Sequence, residues 1–170
     1  MNNICIIGCN YGSNVVLRSI RNLNNKNIKI TGISGRKSRG KIFDGIDYYN
    51  NWKYMIKKNN PDLVIISVPP INQTLIMKYL LNKNIDFMFE KPLTTDRQNL
   101  KNLEKIYKKS KSKCFIDINF LTVPSIIKMK NIIKKNLSPN SKIELKWYIN
   151  PRTSNKKIWK NDVKKGGGEL

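Results

Sequence analysis

Hydrophobic residues along this chain gather in short, unbroken runs, and each run stops abruptly at glycine, proline or polar residues. Leu63, Val64, Ile65 and Ile66 form one run and Phe87, Met88 and Phe89 another. Neither alternates, and each is too short for a buried helix, so both are expected as parallel strands covered on both faces. Between them, residues 73–84 have helical spacing that sets Ile76 against Leu80 and Leu75 against Tyr79. Strand, helix and strand then form a right-handed crossover whose strand ends share one edge of a sheet. Ile4, Cys5, Ile6 and Ile7 predict an earlier strand, followed by a helix starting near Ser13 with Val16, Ile20 and Leu23 toward the sheet. A second strand lies within IKITGIS, and residues 114–118 predict another.

Shorter signals fill the gaps. Met55 and Ile56 predict the inner side of a short helix, with Tyr48, Tyr49 and Trp52 at or before it; these aromatics read as packing rather than as an adenine-stacking surface. Thr95 and Gln98 have capping-box spacing ahead of a helix with Leu100, Leu103 and Tyr107 on one side, which makes Asp96 and its surroundings structural. Pro124 fits the first turn of a later helix with Ile126, Met129 and Ile133 as its inner face. Residues 141–149 alternate, with Ile143, Leu145, Trp147 and Ile149 on one side, which predicts a half-buried strand. The fold expected is α/β, a doubly wound parallel sheet, followed by the first strand of an incomplete α+β domain.

Open sheets of this kind bind ligands at the carboxyl ends of their strands. Glu90, Lys91 and Pro92 follow one strand there and present a carboxylate, an ammonium and a rigid turn. After the first strand, Gly8, Cys9, Asn10, Tyr11, Gly12 and Ser13 have the layout of a dinucleotide turn, in which the backbone approaches a pyrophosphate and a helix start directs free amides at it. The fingerprint is only partly met: Asn10 and Ser13 replace the second and third glycines, and Gly12 is displaced by one position. Asparagine tolerates positive φ, which suits position 10.

Taken together, ICIIGCNYGSNVVLRSI, PDLVIISVPPINQT and FMFEKPLTTD resemble, in the same order, the first strand and glycine turn, the strand with its PPxxH segment, and the EKP signature of the Gfo/Idh/MocA family of NAD(P)-dependent oxidoreductases. FIDINFLTVPSIIKMKNII is similar to the segment leaving that family's nucleotide domain, and IWKNDVKKGGGEL to the approach to its catalytic helix. The resemblance implies a Rossmann-type NAD(P)-binding domain over residues 1–120 and the start of a substrate and oligomerisation domain over 121–170. It implies hydride transfer to or from a sugar, cyclitol or nucleotide-sugar carbinol, with Lys91 orienting substrate and cofactor and Glu90 holding that lysine or the nicotinamide end. Ser67, Val68, Pro69, Pro70 and either Asn72 or Gln73 would flank the nucleotide, with Asn119 at the same edge. The family's helix supplies an aspartate and a histidine, yet this sequence contains no histidine. Gln73 stands where members often have one. The expectation is therefore a truncated chain that binds nucleotide with impaired catalysis, its residues from about 141 offering an exposed strand for self-association; the alternative is a dedicated, non-catalytic nucleotide-binding module.

Cofactor choice turns on the end of the second strand. NAD sites usually carry an acid there for the ribose hydroxyls, whereas an arginine accommodates a 2′-phosphate. Ser34, Gly35, Arg36, Lys37 and Arg39 include no acid. Arg36 can fork two hydrogen bonds onto the phosphate and Ser34 can add a third, so NADP is expected, with NAD the alternative.

Composition adds limits. With 33 Lys and Arg against 11 Asp and Glu, the formal net charge is +22, which invites nucleic-acid binding. The lysines, however, are scattered over helix faces and turns without an aromatic platform, so only weak polyanion binding is expected. The three cysteines have no metal-ligand spacing and suit reduced thiols in a cytoplasm; no metal is expected. No run approaches the length of a membrane span, and the start of the chain does not read as a signal peptide.

Overall fold

The computed structural model describes residues 2–36, 45–138, 140–144, 146 and 148. They divide into two units, one ending at Asp117 and one beginning at Ile118. The first is a parallel sheet of six strands: β1 (Asn2–Ile7), β2 (Ile28–Ser34), β3 (Asp47–Tyr49), β4 (Leu63–Ile66), β5 (Asp86–Glu90) and β6 (Cys114–Asp117), in the order β3-β2-β1-β4-β5-β6. Neighbours pair in parallel, with Ile6 beside Ile65 and Ile65 beside Met88. The order reverses between β1 and β4, as in doubly wound nucleotide-binding sheets.

Covering on both sides explains the unbroken hydrophobic runs. Successive residues of a strand face opposite ways. Cys5, Ile7, Val64, Ile66, Phe87 and Phe89 pack with Met55, Ile76, Met77, Leu80 and Leu103 on one face. These helix residues come from α2 (Trp52–Asn59), α3 (Pro70–Asn82) and α4 (Arg97–Tyr107). Ile4, Ile6, Ile33 and Ile65 pack on the other face with Leu17, from α1 (Leu17–Asn22). Met88 is half-buried rather than fully covered.

The helix ends use asparagine where glycine is commoner. Asn24, Asn60 and Asn84 adopt positive φ, at 48°, 41° and 54°, just beyond α1, α2 and α3. A left-handed residue there lets the chain turn away while the last carbonyls keep partners; the amide of Asn60 donates to Ile56 O at 2.9 Å.

Several expectations are corrected. A five-residue π-helical segment, Gly12–Val16, precedes α1. Val16 and Ile20 are half-buried against the sheet as expected and Leu17 between them is buried, but Leu23, the C-terminal cap of α1, is 66% exposed. Leu75 also faces outward, and the inner side of α3 runs through Gln73, Ile76, Met77 and Leu80. Tyr48 and Tyr49 belong to β3, a strand the pattern did not indicate. Asp96, not Thr95, caps α4, accepting from Asn99 N at 2.6 Å; Leu103 is buried, whereas Leu100 and Tyr107 are exposed.

In the second unit, a 3-10 turn (Asn119–Thr122) leads into α5 (Pro124–Asn136). Pro124 opens that helix as expected, but it has no buried residue: Ile126 and Ile133 are half-buried and Met129 is exposed. At Ser141, Lys142, Ile143, Glu144, Lys146 and Tyr148 the chain is irregular, not the strand expected there; Leu145, Trp147 and Ile149 lie outside the described residues, as does the stretch 158–170. No helix among the described residues is long and apolar enough to cross a membrane.

The cysteines form no disulfide among the described residues. Burial pushes the Cys114 thiol up to about 11, and the nearby Asp86 carboxylate adds to the effect. Both disfavour the thiolate, the reactive form. Alkylation of Cys114 by iodoacetamide, read by peptide mass spectrometry, is therefore expected to keep climbing as pH rises past 9.0, the ordinary thiol value. A plateau at or below that pH would contradict this assignment.

Candidate functional site

The ends of β1 and β4 meet at the reversal point. Gly8 follows β1 with φ of 125°, and a Cβ there would lie 2.2 Å from Ser67 O. Its amide donates to Ser34 O at 2.7 Å, and Ser67 N donates to Ile7 O at 2.7 Å. The three strand ends are thus tied directly behind the turn. At Gly12, a Cβ would come within 2.7 Å of Ile6 Cγ2 and 3.5 Å of Ser67 Cβ. Although displaced by one position, Gly12 does what the last glycine of a dinucleotide fingerprint does: it lets the first helix approach the sheet. A small cradle results, walled by backbone.

The cradle holds a polar atom in need of a partner. Ser67 Oγ is buried and has no hydrogen-bond partner among the described residues, and it lies 3.7 Å from the Cβ position of Gly12. An unsatisfied buried hydroxyl costs about 1–3 kcal/mol, and such exceptions invite a bound group or ordered water. A dinucleotide turn fits this arrangement.

Around this point the expected residues separate. Asn10 and Tyr11 are exposed at the turn. Asn10 is not among the positive-φ residues; instead its carbonyl accepts from Asn14 N at 3.1 Å and its side-chain oxygen from Asn14 Nδ2 at 3.3 Å. Ser13 is buried, and its hydroxyl donates to Cys9 O, with Asn10 O also at 3.4 Å. Bonding back to its own helix engages the hydroxyl, so Ser13 contributes packing rather than a ligand contact.

Ser34 is corrected in the same way. It is 1% exposed at the end of β2, too covered for its hydroxyl to reach a phosphate. Gly35 is pinned, its carbonyl accepting from Tyr48 Oη at 2.6 Å and its amide donating to Tyr49 O at 3.4 Å. Arg36 follows, exposed; Lys37 and Arg39 lie outside the described residues. Tyr48 is thus a supporting residue that the sequence reading missed, because its role depends on the unrecognised β3.

On the other side of the cradle, Val68 and Pro69 are half-buried and Pro70 is buried at the start of α3. Asn72 is exposed, while its amide and that of Gln73 donate to Pro69 O at 2.9 and 3.3 Å. With two prolines and two engaged amides, this helix start offers mainly an apolar wall. Gln73 is the largest correction: it is 1% exposed, its carboxamide turned toward the main chain of the loop after β5 rather than to the surface. Its Nε2 lies 2.9 Å from Glu90 O, 3.0 Å from Pro92 O and 3.2 Å from Leu93 O. Between the first two carbonyls sits Lys91, exposed and joined to Pro92 by a cis peptide bond. Asn119 begins the 3-10 turn of the second unit, and its side chain lies outside the described residues.

Residues 2–118 match the Gfo/Idh/MocA oxidoreductase family, described as an NAD-binding Rossmann fold. Among solved structures, the chain resembles a 3-ketoreductase from Actinomadura kijaniata in complex with NADP and TDP-benzene, with a TM-score of 0.68, 20% identity and coverage of 78% of this chain and 42% of that one. It resembles D-galactose-1-dehydrogenase from Rhizobium etli with a TM-score of 0.67, 20% identity and coverage of 78% and 42%. For the WlbA dehydrogenase from Bordetella pertussis in complex with NADH and UDP-GlcNAcA the values are 0.68, 14%, 78% and 41%. At these identities the likeness carries the fold, and the chain spans less than half the length of each. No curated protein matches the sequence.

Proposed function

Because this chain belongs to the Gfo/Idh/MocA family of NAD(P)-dependent oxidoreductases, we propose that it binds a nicotinamide dinucleotide, NADP ahead of NAD, across the β1/β4 reversal point. The observation carrying this reading is the Gly8 and Gly12 cradle with the unpartnered Ser67 hydroxyl. Amides at the turn through Asn10 and Tyr11 face the pyrophosphate, where the positive end of the first helix favours an anion. Arg36 takes the 2′-phosphate, since a guanidinium forks two charge-assisted bonds onto it. Val68 and Pro69 flank the nucleotide, and Lys91 orients the nicotinamide end together with a sugar-like substrate. Glu90 supports that end.

Bound, the dinucleotide supplies hydride exchange with a carbinol carbon. The substrate class follows the relatives, two of which are described with a nucleotide-sugar or a thymidine-diphosphate ligand beside the cofactor. Within these 170 residues there is no histidine to accept the hydroxyl proton, so the reading assigns them nucleotide binding with little or no turnover.

Titration with NADPH, NADH and tripolyphosphate at physiological salt tests this. NADPH is expected to saturate and to bind most tightly. Hydrogen bonds to charged groups contribute about 1.5–3 kcal/mol, so Arg36→Ala is expected to weaken NADPH about tenfold or more while leaving NADH nearly unchanged. Equal binding of NADPH and tripolyphosphate, collapsing with salt, would contradict the reading and leave a basic surface only.

A further inference from the structure

We propose that Gln73 is a positioning residue for Lys91: its buried carboxamide holds the turn that presents the lysine to the nicotinamide end of a bound dinucleotide. The inference rests on the nucleotide-site reading above. Three main-chain carbonyls, of Glu90, Pro92 and Leu93, converge within 3.2 Å of Gln73 Nε2. They bracket Lys91, which is exposed. An amide nitrogen has two protons, so the three acceptors share them. Next to it, Thr74 Oγ1 lies 3.4 Å from Thr94 Oγ1, a second tie between α3 and the same loop.

Placement makes this more than a generic buried amide. Gln73 lies in the first turn of α3, directly after Val68, Pro69 and Pro70 at the end of β4, while its acceptors follow β5. One side chain therefore couples the two walls of the ligand edge on that side of the reversal point. Its Oε1 is buried without a partner, so the amide retains its position through donation alone. An apolar side chain of the same length would leave three carbonyls without that donor, and the turn carrying Lys91 would lose its fixed direction.

The test compares NADPH with 2′-phospho-ADP-ribose, which lacks nicotinamide, on the full 170-residue chain. Gln73→Met is expected to weaken NADPH about tenfold and leave 2′-phospho-ADP-ribose unchanged. Lys91→Ala should produce the same pattern, and the double variant should be no weaker than Lys91→Ala alone. A purely structural role would weaken both ligands equally, or make the two substitutions additive, and either result overturns the inference. If Gln73→Met does not fold, Gln73→His, which keeps one N–H donor, carries the test: partial loss for NADPH with the smaller ligand unchanged supports the inference, and equal loss for both refutes it. Wild-type protein binding neither ligand would instead remove the nucleotide reading beneath it.

Discussion

Gly8→Ala is expected to lower stability by about 2–6 kcal/mol and to eliminate NADPH binding. Two independent costs add. At φ of 125° an L side chain is strained, and such backbone conformations cost about 1–3 kcal/mol. The new Cβ would also meet Ser67 O at 2.2 Å; the neighbour is backbone, fixed by Ser67 N donating to Ile7 O, and overpacking of this kind costs about 1–3 kcal/mol. Relief requires β1 and β4 to separate where the ligand cradle lies, so binding is lost even in molecules that remain folded. Urea denaturation followed by NADPH titration at zero denaturant reads both effects. A loss under about 1 kcal/mol with binding retained would show that the turn is not held against β4 as described.

Phe87→Ala is expected to destabilise the protein by about 3–5 kcal/mol, the usual range for deleting a buried aromatic side chain. Phe87 is fully buried in β5 and packs in the cluster fed by α2, α3 and α4. Its ring centroid lies 6.1 Å from that of Phe89. Neighbours on three helices cannot all move into the space, so a cavity remains. Because a domain of this size has only about 5–15 kcal/mol in total, the variant should melt much earlier, with far-ultraviolet circular dichroism as the readout. A change below about 1 kcal/mol would contradict the assigned core.

Much of this architecture was legible because parallel strands covered on both faces leave a distinctive trace. The run at 63–66 emerges as β4 with its expected bounds, and 87–89 as the centre of β5. Ile4 through Ile7 and the glycine turn led directly to the ligand edge. What was not legible lay in a short element or at the ends of helices. β3 is three residues of aspartate and tyrosine at the sheet edge, too short and too polar to form a pattern. Val16 and Ile20 face the sheet as their spacing suggested, with Leu17 between them buried, whereas Leu23 caps the end of α1 and is exposed. Thr95 and Asp96 are neighbouring cap candidates, and only the backbone distinguishes them.

The candidate site was legible in its chain segments and less so in its side-chain directions. Gly8, Ser67 and Lys91 directly follow β1, β4 and β5, and Gly12 begins the π-helical segment packed against Ile6 and Ser67. Ser13, Ser34 and Gln73 occupy the same segments but turn inward. For Gln73 the cause is the true start of α3: with Pro70 as the first residue, position 73 completes a turn and points into the core. The sequence pattern begins that helix later, leaving Gln73 at its open end. Its hydrogen bonds to the Glu90–Leu93 carbonyls span about twenty residues of sequence, a separation no local motif encodes.

Amide chemical-shift mapping of the 15N-labelled protein during titration with NADP locates the bound nucleotide residue by residue. Saturating shifts are expected at Gly8, Asn10, Tyr11 and Gly12, at Ser67 and Val68, and at Lys91. A basic groove lies at the opposite edge of the sheet, a cavity of about 280 Å³ lined by Arg21, Lys26 and Lys29 among others. Shifts confined to that groove, with the turn after β1 silent, would contradict the account, because they would mean that net positive charge rather than the Gly8 and Gly12 cradle attracts the nucleotide.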